Sequence, residues 1–192
     1  MWWLAIPAVI LVGKAISNFI SSDEQEARTR WESKHLEVQK TIEEHRKNIE
    51  RNISAAKSSY DFTFLTDLHY SSHRVGDAAH KLLQDARTSC NSIKNMINTS
   101  KTKKNELKSI LSNSSKEDKK NILIEIRAIN AFTTSIFAEL NTVINQRQSM
   151  FDEVKRLNLQ TRELKLAIRD RCGSRGQDWY NRLQERTQLR QK

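Results

Sequence analysis

The longest unbroken pattern in the chain is a set of seam positions, mostly apolar, recurring at alternating intervals of four and three. It comprises Ile122, Ile126, Ile129, Thr133, Ile136, Leu140, Val143, Arg147, Met150, Val154, Leu157, Thr161, Leu164 and Ile168. That spacing holds one stripe on one side of an α-helix, and a stripe this long suits a helix packed lengthwise against other helices. Leu123, Phe137, Ile144 and Phe151 widen the stripe on one flank. A two-stranded coiled coil needs less width, so this helix is expected to touch two neighbours through its first two-thirds.

Two weaker seams precede it. One runs through Trp31, His35, Val38, Ile42, His45, Ile49, Asn52 or Ile53, and Ala56, diluted by its histidines. The other runs through Ala79, Leu83, Ala86, Cys90, Ile93, Ile97, Ser100, Lys104, Leu107 and Leu111, broadened by Leu82, Met96 and Ile110. The short link "SNSS" forces the second and third helices to be antiparallel neighbours, and Ser114 with Glu117 forms a capping box that opens the third. The stretch "DFTFLTDLHYSSH" shows no heptad spacing and reads as an apolar corner. With 4 Gly and 1 Pro the chain lacks the turns that a β or α/β fold requires.

The expected fold is therefore all-α. A membrane-inserted helix at 1–21 leads into helix one at 22–60 and an apolar corner at 61–71. An antiparallel hairpin follows at 72–171, turning at 112–115. A glycine hinge and a short C-terminal helix close the chain at 172–192. The body is an elongated coiled coil or three-helix bundle, its third helix supplied by helix one or by a second copy in a homo-oligomer.

Apart from the helix-compatible Pro7, residues 2–12 are apolar without interruption, and Lys14 is the one charge up to Ile20. At 1.5 Å per residue that segment spans roughly 28 Å, about one hydrocarbon thickness. Trp2 and Trp3 suit one interface and Lys14 can snorkel to the other, so these three are the candidate membrane anchors. A helix lying in the interface, or one buried in a protein partner, is the competing reading. Lys14, Arg28, Arg30 and Lys34 stand on the C-terminal side of the segment. The positive-inside rule then gives a single pass with the N-terminus out and the body in the cytoplasm. Two cysteines, Cys90 and Cys172, make no disulfide framework and agree with a reducing compartment.

The formal net charge of +10 favours an acidic partner: lipid headgroups, nucleic acid or an acidic protein. The excess falls in two places. Lys101, Lys103, Lys104, Lys108, Lys116, Lys119 and Lys120 flank the hairpin turn and form a candidate contact for an anionic surface. The tail "RCGSRGQDWYNRLQERTQLRQK" follows a helix that ends near Arg171. Gly173 and Gly176 are its candidate hinge, and Asp178 can cap the last helix. Trp179, Tyr180, Arg182, Leu183, Arg186 and Arg190 are the candidate partner-docking residues, because Trp, Tyr and Arg dominate interface hot spots. Alternatively Trp179 folds back beside the apolar corner.

Catalytic chemistry has no visible support: there is no phosphate-cradling glycine loop, nucleophile elbow or paired-cysteine motif. No cofactor is expected. His69, His73 and Asp77 share a helix face and form a weak metal candidate, with no second cluster to complete a shell. The leading expectation is a non-catalytic membrane-anchored scaffold, tether or accessory subunit that presents its C-terminal element to a protein partner. A membrane-associated, non-specific nucleic-acid binder and a lipid-remodelling helical rod are the alternatives.

Overall fold

The computed structural model describes residues 20–55 and 61–189; Trp2, Trp3, Lys14, Ala56 and Arg190 lie outside these described residues. Helices α1 (Ser22–Ala55), α2 (Phe62–Leu111), α3 (Lys116–Arg171) and α4 (Gly173–Leu189) make an all-α fold, with no strand among the described residues. None of these helices is long and apolar enough to cross a membrane.

Helices α1, α2 and α3 each start where a side chain satisfies their free amides. Ser21 and Glu24 exchange bonds at the head of α1, the Ser21 hydroxyl accepting from the Glu24 N–H and the Glu24 carboxylate from the Ser21 N–H, both at 3.2 Å. Asp61 caps α2, its Oδ1 accepting from the Thr63 amide at 2.8 Å and, more weakly, from the Phe64 amide at 3.4 Å. Asp61→Ala is expected to remove about 1 kcal/mol of stability, read as a lowered thermal midpoint. At α3 the capping residue is Ser115 rather than Ser114. The Ser115 carbonyl accepts the first helical bond from Lys119, its hydroxyl accepts from the Asp118 amide, and the Ser114 hydroxyl bonds back to Ile110. The expected box of Ser114 and Glu117 is thus displaced by one residue.

The described residues fall into two compact units, 20–33 with 84–147 and 34–83 with 148–189. In the first unit α1, α2 and α3 pack around Trp31, Ile93 and Ile129, each with no exposed surface. The Arg28 guanidinium pairs with Glu139 of α3, Arg30 with Asp85 of α2 at 3.5 Å, and Lys103 with Glu125 at 2.8 Å. Helix one of the chain itself is therefore the third member of this bundle. It covers α3 on the Glu139 flank, however, and not on the flank anticipated from Leu123, Phe137 and Ile144. Those three side chains are 43%, 42% and 42% exposed.

In the second unit, Ile42 and Ile49 of α1, Leu65 of α2 and Met150, Leu157, Leu164 and Ile168 of α3 form the core. Gln39 bonds Ser149 at 2.7 Å, and Arg46 meets Glu153 at 3.4 Å. Ser72 receives His45 Nε2 at 2.9 Å. The anticipated corner at 61–71 is helix from Phe62 onward. The seam of α2 in fact continues backward from Leu83 through Ala79, Gly76, Ser72, His69 and Leu65, all buried. Three of these six are not apolar, so hydropathy alone breaks the pattern where geometry does not. Buried hydroxyls in both units bond to carbonyls one turn back, as in Ser72 to Leu68, Ser100 to Met96 and Thr161 to Leu157, each at 2.8 Å.

Candidate functional site

The densest chemistry among the described residues lies in the second unit, where α4 folds back against α2 and α3. The reversal needs a single residue between helices. Cys172 still bonds Ile168 as α3 would continue, and Gly173 then takes φ +60°, a left-handed conformation that costs a side chain about 1–2 kcal/mol. Three residues on, Gly176 lies so close to α3 that a Cβ there would stand 2.2 Å from the Ile168 carbonyl oxygen. Gly176 is a packing contact and not the hinge expected of it. Asp178 sits inside α4 and does not open it.

This close approach drives Trp179 inward, to 7% exposure. Its indole N–H donates to the Tyr70 hydroxyl at 3.2 Å, and its ring meets His69 edge-on at 5.0 Å. Of the two readings open for Trp179, folding back is the one observed, so its ring is part of the fold and not a free anchor. His69 is itself buried and packs edge-on with His73 at 4.7 Å. Burial is the main cause that pulls its pKa down to about 4, with the charges of His73 and Lys165 adding to it. Among the described residues no group of three or more His, Cys, Asp and Glu is placed to hold a metal ion, so His69, His73 and Asp77 do not form the weakly anticipated metal site.

Around this aromatic ridge lie two grooves. One, about 740 Å³, is lined by His73, Asp77, Arg162, Lys165, Tyr180 and Arg186, among others. The other, about 330 Å³, is lined by Phe62, Tyr70, Arg175, Trp179, Arg182 and Arg186, among others. Arg162, Lys165, Arg175, Arg182 and Arg186 take part in no ion pair among the described residues, whereas Arg169 is held by Asp170 at 2.6 Å. Two of the five rest on rings instead: Arg175 lies 4.4 Å from the Phe62 centroid and Lys165 lies 5.1 Å from that of Tyr180. Such contacts leave the charge uncompensated. Of the docking residues expected from sequence, Tyr180, Arg182, Leu183 and Arg186 line these grooves. Phe62, Tyr70, Arg162, Lys165 and Arg175 join them without having been foreseen. Each resembled an ordinary helix-surface or corner residue, and only the direction in which α4 folds back brings them together.

The cysteines are free thiols. Burial pushes both pKa values up, and Asp61 adds to the effect at Cys172, so the thiol form is favoured at both near neutral pH. Of the turn lysines, Lys103 is tied to Glu125 and Lys101 lies 5.8 Å from the Phe137 centroid, while Lys108, Lys116 and Lys120 are exposed. Comparison with protein-family models, curated proteins and solved structures found no match, so the geometry of this basic, aromatic end carries the functional reading.

Proposed function

We propose that this chain is a non-catalytic helical scaffold that presents the basic end formed by α2, α3 and α4 to an acidic protein partner. One observation carries the reading: five cations converge on two adjoining grooves whose linings hold one carboxylate, Asp77, and none of the five forms an ion pair with it or with any other among the described residues. Folding has already met the cost of bringing them together, so an acidic segment gains their full attraction on binding. The nucleic-acid reading is less well supported. Non-specific single-strand binding relies on open aromatic faces, but Lys165 and Arg169 both lie 5.1 Å from the Tyr180 centroid, Arg175 covers Phe62, and Trp179 is buried.

The apolar segment at 1–21 would hold the scaffold at a membrane as a single pass with the body in the cytoplasm. The turn lysines would then be available to an anionic surface. Support for the tether is the sequence of that segment alone, which lies almost wholly outside the described residues.

The test is fluorescence anisotropy with the full chain in mild detergent, using labelled poly-glutamate and labelled oligo-deoxythymidine as probes. Poly-glutamate should bind more tightly, and Arg182→Glu with Arg186→Glu should weaken it about tenfold or more at unchanged thermal stability. Tighter binding of the oligonucleotide, or indifference to the two reversals, would overturn the proposal.

A further inference from the structure

The first unit carries a second surface, independent of the arginine grooves. On α3, Leu123, Asn130, Phe137 and Ile144 each follow a seam residue (Ile122, Ile129, Ile136 and Val143) and so recur every seven positions. On α2, Arg87, Lys94, Lys101 and Lys108 occupy the same register after Ala86, Ile93, Ser100 and Leu107, and all four are exposed. The Lys101 ammonium reaches the Phe137 ring, which puts the two rows side by side. From Ala128 to Gln146 the one charged residue is Glu139, on the opposite flank and paired with Arg28. A half-exposed row, apolar except at Asn130, therefore lies beside a row of four like charges, in the first unit's described residues.

We infer that this face is the docking site for an acidic amphipathic helix of another protein. Heptad spacing in both rows calls for a helix laid along them, since a helix alone returns a side chain to the same line every seven residues. Its apolar residues would cover Leu123, Phe137 and Ile144, and its acidic edge would face the α2 row. A second copy of this chain does not fit. Leu36 is the one large apolar side chain exposed on α1, and α4 brings Arg175, Arg182 and Arg186 against lysines. Self-pairing of the same face would set basic row near basic row.

The probe is a synthetic four-heptad helical peptide with leucine and isoleucine on its seam and glutamate beside it, compared with its lysine counterpart, each titrated against the full chain in mild detergent. The glutamate peptide should bind and the lysine peptide should not. Phe137→Asp with Ile144→Asp should weaken binding about tenfold or more. Lys94→Glu with Lys101→Glu should do the same and should admit the lysine peptide; these side chains are exposed, so this pair tests the face even if the aspartate pair misfolds. The same titrations are repeated in an Arg182→Glu with Arg186→Glu background, where the grooves of the other unit no longer attract glutamate; the glutamate peptide should still bind there, and the losses named above should persist. No binding of the glutamate peptide, equal binding of both peptides, loss of binding in the arginine variant, or self-association abolished by the aspartate pair would each overturn the inference.

Discussion

Gly176→Ala is expected to destabilise the protein by about 3 kcal/mol, the upper end of what overpacking by one methyl group costs. The added carbon would stand 2.2 Å from the Ile168 carbonyl oxygen and 2.9 Å from the Cys172 Cβ. Neither neighbour is the end of a flexible side chain, so relief must come from moving α4 off α3. That motion would open the Trp179–Tyr70 hydrogen bond and admit water to His69. Two companion changes bracket the result. Gly173→Ala meets no atom within 4 Å but inherits φ +60°, so it should cost about 1–2 kcal/mol. Gly76→Ala lies inside α2 with free space around the new carbon, and helix propensity should make it stabilising by up to about 1 kcal/mol. Denaturant titration of the three variants checks the order. A Gly176→Ala protein as stable as the parent would mean that α4 does not pack against α3 in this way.

The helical class and the seams were legible in the sequence because they depend on short-range periodicity. Ile122 to Ile168 pack inward almost without exception, and Arg147, the one charge in that seam, is the member that stays exposed. The missed stretch failed for a physical reason. His69, Ser72 and Gly76 fill seam positions in α2 with an imidazole, a self-satisfied hydroxyl and no side chain at all. Each is compatible with burial, but none announces it. The flank of α3 failed differently. A wide apolar stripe says that a helix has surface to cover, but not which flank its neighbour takes. Arg28 and Glu139 decide that through a pairing 111 residues apart in sequence.

The candidate site was half legible. Arg182 and Arg186, one turn apart with Trp179 and Leu183 beside them, pointed to α4 as a docking element. Their counterparts Arg162 and Lys165 lie on α3 among many solvated charges, and no local pattern separates them. What selects them is the junction at Cys172 to Gly176, which turns α4 back along α3. The same junction explains why the tryptophan that looked most like an exposed anchor is buried: it is the residue that locks the turned helix in place.

Acid should destabilise this locked end selectively, through His69. In the folded protein its pKa lies at about 4, against 6.5 for an exposed histidine. The unfolded chain therefore takes up a proton between these values that the folded chain refuses, so stability falls as pH is lowered from about 6.5 to about 4. The separation corresponds to about 3 kcal/mol at most, fully present above the unfolded value and fully lost below the folded one. His45, also shifted downward chiefly by burial, adds a loss of the same sign. His69→Gln isolates the first contribution, because His45 and every carboxylate remain in the variant. Unfolding free energies measured by denaturant from pH 7 to pH 4 should fall more steeply for the parent than for His69→Gln, by about 3 kcal/mol over the window. Trp179→Ala supplies the converse. Removing the indole lets water reach the imidazole, so the His69 pKa should climb back toward 6.5 and the difference between the curves should shrink, although the variant itself is less stable by about 3 kcal/mol or more. Proton NMR of the parent gives the direct readout: a His69 ring signal that titrates near pH 6.5 would show that this ring is not held dry between Trp179 and His73, and would sink the prediction.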